Sequence, residues 1–487
     1  MTRITLDSRI DVANAGQRAS QFPAHSCSTV DQTITRTGAT LQPQTNISRT
    51  SGSQTARQRA SSCGWRQIAD HAMVLTVLYA GRRAGLGQRT RAARNVGQEP
   101  GALEKWMRIL FVHPEGNLAN NSNLSAIIEF LTRSGHEIIV RSARGSFARH
   151  ENPNVRVLEV PGRIQRKLMQ LSCHPQKWSL GKLLITLAPP MTPPADLVVG
   201  VDRQGVIEGA VIARSKGIPL AYWSYEIFFA TECSSDFKAL ERREASSVRF
   251  AVAQDDLRAR LLSEETGIPD DRILRIPVAG TGTRPAARTR YLNERFGIPA
   301  DRRIAIVVGS VDEWTLARPL VESLPRWPDN WVLVMHHRYG YVSDWQRSAR
   351  HRMPSRFYLS EDSFPTIESL GHMLHGADLG IALYHPTYDN RWTGRNIANI
   401  GMSSGKIATY MQYGLPVLIN ELGEISSHVR EKGLGVVTGD VSEIPGILCH
   451  FDPESMRGRC LAFFAEHLDA KLYLPDLQRA LLAAVAM

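Results

Sequence analysis

From Met107 onward, short apolar runs alternate with stretches whose apolar residues recur at helical spacing. The runs predict strands over 108–114, 137–142, 155–161, 196–202, 219–225, 249–254 and 272–278. Between most of them the period lengthens to that of a helix, as over 122–133, 204–216, 236–247 and 257–266. This alternation is the pattern of a parallel sheet with helices on both faces. Residues 279–290, AGTGTRPAARTR, interrupt it and read as a linker. Their glycines do not lead from a strand into a helix, so a dinucleotide fingerprint is not expected there. A second series follows, with strands over 303–310, 331–337, 356–359, 378–384, 416–420 and 435–438. Its helices fit 314–323, 366–376, 405–413 and 425–432.

The expected fold class is therefore α/β: two doubly wound, Rossmann-like domains facing a cleft, after an N-terminal extension. The boundaries are 1–106 for the extension, 107–285 and 286–450 for the two domains, and 451–487 for a tail. Helical spacing through Leu461, Phe464, Ala465 and Leu468 predicts that the tail forms helices packing back across the first domain. Ligands of open α/β sheets bind outside the carboxyl ends of the strands, so strand-end residues are the ones to interrogate.

Residues 1–106 are rich in Ser, Thr, Gln, Arg and Gly and show no sustained period, a composition that stays disordered. Two readings stand. Translation begins at Met107 and the upstream stretch is spurious or disordered, or the stretch is a basic tail for membranes or partners. It carries much of the net charge of +11, since thirteen Arg and one Lys face six acids. The remainder has 44 basic against 41 acidic side chains, which removes the case for a nucleic-acid partner. The six cysteines are scattered without CxxC or metal spacing, as in a reduced, cytoplasmic chain. The apolar run over 72–80 is below spanning length, so no transmembrane helix is expected.

The most informative stretch is 403–417, SSGKIATYMQYGLPV. Ile407, Tyr410 and Met411 give a helix its apolar side, Gly414 ends it, and Pro416 opens a buried strand. Lys406 then falls in the first helical turn, where the macrodipole disfavours a cation. A bound anion reverses that sign. Free N–H groups of the helix start, small residues at Ser403, Ser404 and Gly405, and the Lys406 ammonium would together seat a diphosphate. The plainer alternative is that the serines only cap and Lys406 swings into solvent.

This stretch resembles the nucleotide-sugar-binding segment of GT-B fold glycosyltransferases, especially the group-1, GT4-like set. Ser404, Lys406, Ile407, Tyr410, Met411, Gly414, Pro416 and Val417 match the family pattern, and the following GEISSHVREKGLGVV resembles its continuation. The resemblance implies an acceptor-side first domain and a donor-binding second domain. It implies donor contacts from Ser403, Ser404, Gly405, Lys406 and Tyr410, with Glu424 at the sugar end. One departure stands out. Many members carry two glutamates eight residues apart, associated with retaining transfer, and those positions are Gly401 and Thr409 here. Retention of configuration is therefore not assumed.

Further donor-side candidates are Gly309 and Ser310 at a strand end, His336 and His337 at the next, and Tyr384, Asn396 and Asn399 in the long loop 383–399. On the first domain, HPEGNLANNSNLS offers His113 or Glu115 as general base, with Gly116 and Asn117 facing the acceptor. YWSYEI puts Glu226 just past a strand end, either as another base candidate or as part of an acceptor groove. The chain has no Asp-x-Asp, so no metal and no cofactor are expected, the nucleotide sugar being a co-substrate. The leading expectation is a hexosyltransferase-like enzyme of polysaccharide or glycoconjugate biosynthesis acting on a glycan or lipid-linked hydroxyl acceptor. It would be cytoplasmic, with peripheral contact at the inner face of the membrane as a variant. The competing readings are a GT-B-fold nucleotide-sugar 2-epimerase and a non-catalytic sugar-nucleotide-binding protein.

Overall fold

The computed structural model describes residues 106–114, 121–143, 152, 154–187, 192–337, 340, 342–362, 364 and 370–486. Among them, two all-parallel sheets account for the strands. The first contains β1 (Arg108–Val112), β2 (Glu137–Ala143), β3 (Val155–Val160), β4 (Leu197–Val201), β5 (Leu220–Trp223), β6 (Val248–Ala253) and β7 (Ile273–Arg275), in the order β3-β2-β1-β4-β5-β6-β7. The second contains β8 (Arg303–Gly309), β9 (Trp331–His337), β10 (Phe357–Ser360), β11 (Leu379–Ala382), β12 (Val417–Ile419) and β13 (Gly435–Val437), in the order β10-β9-β8-β11-β12-β13. Each sheet begins in its middle, runs to one edge and jumps to the other side. The reversals fall between β1 and β4 and between β8 and β11, and the crevice at such a reversal is where ligands bind.

Side chains alternate between faces along each strand, and both faces are buried. In β1, Leu110 and Val112 join one core cluster while Ile109 and Phe111 join another. In β8, Ile304, Ile306 and Val308 face one cluster and Ala305 and Val307 the other. The tail divides its allegiance. Cys460 and Phe463 of the helix Glu454–Phe463 pack into the second sheet's core. The last helix, Leu474–Ala486, crosses back and buries Leu474, Leu477 and Leu481 on the first sheet beside Phe111 and Val199.

Several elements depart from the sequence pattern, and helices at Gly162–Ser172 and Trp178–Thr186 stand where it marked none. The helix expected over 314–323 is broken: a 3-10 turn at Glu313–Thr315 is closed by a reciprocal Asp312–Thr315 capping box. Leu316 then takes φ 51°, and a helix restarts at Ala317. β7 has three residues rather than seven and stops short of Pro277, which offers no N–H to a ladder. Of the helix expected over 366–376, Gly371–His375 is present and 365–369 lie outside the described residues. The linker is tied down by its backbone, with Gly282 N–H on Asp469 Oδ2 (3.0 Å) and Arg284 N–H on the Gln412 carbonyl (2.7 Å). Among the described residues no helix is long and apolar enough to cross a membrane.

Candidate active site

A cavity of about 420 Å³ opens at the carboxyl ends of β8 and β11, between the two sheets. Asn121, Ser122, Tyr225 and Glu226 line it from the first domain. Gly309, Ser310, Trp314, His336, Tyr384, Asn396, Ser403, Ser404, Gly405, Lys406 and Thr409 are among its second-domain walls.

The helix Gly405–Gln412 points its start into this cavity. Ser404 is its N-cap and accepts from Ile407 N–H at 3.3 Å, leaving the earlier first-turn N–H groups without intrahelical acceptors. Ser404 Oγ also lies 2.7 Å from the Tyr384 hydroxyl, whose pKa burial pushes up, so Tyr384 stays a neutral hydrogen-bonding group. Lys406 reaches across to the end of β8, where its Nζ donates to the Ser310 carbonyl at 2.8 Å. The same ammonium lies 5.6 Å from the Trp314 ring centre and 5.4 Å from that of Tyr384, two rings stacked 6.0 Å apart. Aromatic faces attract a cation at that range. Gly309, at φ 100°, leaves the passage this lysine uses: a Cβ there would stand 3.0 Å from Lys406 Cε.

The first-domain wall is acidic at one point. Glu226 receives a hydrogen bond from Asn396 Nδ2 and donates its backbone N–H to Asp202 Oδ1 at 2.9 Å. Among the described residues lining the cavity, Glu226 is the one carboxylate and Lys406 the one permanent cation. Thr409, buried at 3% exposure, lines the cavity where the resembling family carries a glutamate. Gly401, the other such position, has no room for a side chain: at φ 41° its Cβ would stand 2.6 Å from Asp255 Oδ2.

Several expected site residues lie elsewhere. Tyr410 is fully buried and not among the cavity's lining residues, its hydroxyl 3.0 Å from the Val308 nitrogen, which ties the helix to β8. His337 does not line the cavity; its neighbour His336 does, because adjacent strand residues point to opposite faces. The His336 imidazole is lowered to about 4 by burial and meets Ser360 Oγ at 3.0 Å. Burial also lowers His337, Asp312 opposing and Lys406 adding to the effect. His113 is 5% exposed, held down to about 4 by burial, and lies outside the cavity walls. Asn399 turns its Nδ2 back onto the Arg395 carbonyl at 2.7 Å. Glu424 is exposed at the start of the helix Glu424–Lys432, 3.5 Å from His428, and does not line the cavity. Glu115, Gly116 and Asn117 lie outside the described residues. Trp314 is a cavity wall that the pattern did not single out, whereas His336 is one of the two strand-end histidines it marked.

Among the described residues no three His, Cys, Asp or Glu side chains gather where they could share a metal ion. Cys173, Cys233, Cys449 and Cys460 are free thiols, and Cys27 and Cys63 lie outside the described residues.

Two facing parallel-sheet domains with a cavity at their carboxyl ends are the fold of solved sugar transferases and synthases. Anabaena HepE, solved in complex with UDP-glucose, is similar at TM-score 0.54 and 14% identity over 78% of this chain and 100% of its own. WaaG, a glycosyltransferase involved in lipopolysaccharide biosynthesis, gives 0.54 and 14% over 76% and 98%. Sucrose-phosphate synthase from Thermosynechococcus elongatus gives 0.55 and 16% over 77% and 99%. At these identities the likeness is one of fold. No family model matches the chain, and no curated protein matches its sequence.

Proposed function

We propose that this chain moves a sugar from a nucleotide-sugar donor to a hydroxyl acceptor, as a GT-B glycosyltransferase of the group-1 kind. The observation that carries the reading is the helix start at Gly405, with Lys406 drawn across to Ser310 inside an interdomain cavity. A diphosphate seated there meets the first-turn N–H groups, the Ser404 hydroxyl and an ammonium already aimed at the end of β8. In the reaction, an acceptor oxygen forms a bond to the anomeric carbon while the bond to the diphosphate breaks. Glu226 takes the acceptor proton, and Lys406 with the helix start stabilises the charge that gathers on the leaving group.

The named structures support a UDP-linked donor as the first to try, since HepE was solved with UDP-glucose and the trehalose-phosphate synthase of Burkholderia vietnamiensis is described as UDP-forming. The acceptor belongs to a glycan or lipid-linked class, in keeping with the lipopolysaccharide role printed for WaaG. On this reading the enzyme works in the cytoplasm, with lipid-linked acceptors met at the inner face of the membrane.

A thermal-shift screen of the full chain against UDP, GDP, dTDP and CMP tests the donor seat. At least one nucleotide stabilises wild type and fails to stabilise Lys406→Ala. No shift with any of the four would end the assignment. One observation favours a second reading: with Thr409 and Gly401 where relatives keep acids, a sugar-nucleotide-binding protein without turnover also fits. Binding of a nucleotide sugar with neither hydrolysis nor transfer would select it.

A further inference from the structure

Glu226 belongs to the first domain, yet a side chain that hydrogen-bonds its carboxylate, Asn396, comes from the second. The orientation of the Asn396 amide is fixed by its other partners. Its Oδ1 accepts from the Ile227 N–H at 3.1 Å and from Arg258 Nη2 at 3.0 Å, both groups that can only donate. Nδ2 is therefore the atom turned to Glu226, and Glu226 Oε2 must present a lone pair to it. Arg258 is itself immobilised. It is 1% exposed, with Nε on Gln254 Oε1 (2.6 Å), Nη2 on the Tyr225 carbonyl (2.7 Å) and Nη1 on the Asn399 carbonyl (3.0 Å).

We propose that Asn396 is a positioning residue: it orients the Glu226 carboxylate as a proton acceptor, so that the first domain's base is set by contact with the second domain. This deepens the transferase reading above and rests on it. Docking of the two domains then performs two acts at once, bringing the diphosphate seat beside the acceptor wall and setting the base. The charged and titratable groups near Glu226 include Arg258, with Asp202 and Asp255 also acting on that arginine, and Tyr225, Lys406 and His336 on the same cavity. Asn396 adds a donor on the side facing the second domain.

The test uses the full chain carrying Asn396→Asp, which keeps an acceptor for Arg258 and Ile227 but places a carboxylate where Glu226 expects a donor. Asn396→Ala is the companion variant. UDP affinity, by titration calorimetry, and the pH profile of UDP release from UDP-glucose are measured for each. UDP affinity stays within about threefold of wild type. In Asn396→Asp the acidic limb of kcat/KM moves up by about one pH unit or more, because a like charge raises its neighbour's pKa. Activity at neutral pH falls by about 10-fold to 100-fold in both variants, part of what a positioned base contributes. A limb that stays in place with UDP bound normally would overturn the positioning role alone. A tenfold loss of UDP affinity with an unmoved limb would make Asn396 a nucleotide contact instead. A wild type that binds UDP yet releases none from UDP-glucose at any pH would remove the base role and this proposal with it. A wild type that does not bind UDP would overturn the UDP-donor reading on which both stand.

Discussion

The Tyr410 hydroxyl lies 3.0 Å from the Val308 nitrogen, just past the point where β8 and β11 stop pairing. The ladder between those strands joins Ala305 with Leu379 and Ile306 with Gly380. Beyond it the strands part to make the crevice, and the Tyr410 hydroxyl, 3.3 Å from the carbonyls of Ile306 and Ile381, fills the missing rung. Tyr410→Phe strands a buried N–H, at a cost of about 1–3 kcal/mol. The expected outcome is a lower unfolding temperature with the nucleotide-induced shift retained. An unchanged unfolding temperature would show that the hydroxyl contributes nothing. Gly380→Ala is the companion test, since a Cβ there would stand 2.4 Å from the Tyr410 ring.

Stability should fall on mild acidification. Burial holds both His113 and His336 down to about 4, whereas an unfolded histidine protonates near 6.5. As the pH drops between those values the unfolded chain takes up protons that the folded one refuses. Stability is therefore full above about 6.5 and declines toward 4, by at most about 1.4 kcal/mol per pH unit for each histidine. Urea unfolding at pH 7, 6 and 5 measures the slope, and His336→Asn removes one histidine's share of it. A midpoint independent of pH across that range would contradict the burial of both rings.

Placing at Gly401 the carboxylate that the resembling family carries there should fail. The Asp255 Oδ2 that occupies the site also accepts the Met402 N–H at 3.1 Å, while Oδ1 caps the helix Asp256–Thr266 through Arg258 N at 2.7 Å. Gly401→Glu would set two carboxylates in contact at a left-handed backbone position. The expected result is an unfolding temperature several degrees lower and no gain in turnover. A stable, faster variant would mean that Asp255 yields its place.

A single displacement with Glu226 as base inverts the anomeric centre. With UDP-glucose, an α-linked donor, water as acceptor should release β-glucose first, visible by proton NMR before mutarotation. Glu226→Gln should lower kcat by about 10²-fold to 10⁴-fold while UDP affinity stays within about threefold. Initial release of α-glucose would take Glu226 out of the base role.

Most of the sheet architecture was legible because fully buried parallel strands are continuous apolar runs: VVGS and LVVG need no partner to be recognised. The anion helix was legible for a similar reason, since cap, small residues and lysine are consecutive. What depended on distant contacts was not. The burial of Tyr410 follows from where β8 and β11 diverge, and the turning of Trp314 into the cavity from a capping box that interrupts a helical pattern. The choice of His336 over His337 is a matter of strand phase, which a pair of identical residues conceals. In the sequence Asn396 is one polar residue in a long loop, but its grip on Glu226 joins residues 170 positions apart.

The closing helix has a consequence for the order in which the molecule is made. The first sheet is complete by Arg275, yet one of its faces keeps Phe111, Val199 and Val252 against Leu474, Leu477 and Leu481. During synthesis that face has to wait, with the whole second domain emerging before its cover arrives. Until the last thirteen-residue helix docks, the nascent chain carries an uncovered apolar surface. A chain cut before Leu474 would therefore have an intact second sheet and a first sheet open to aggregation.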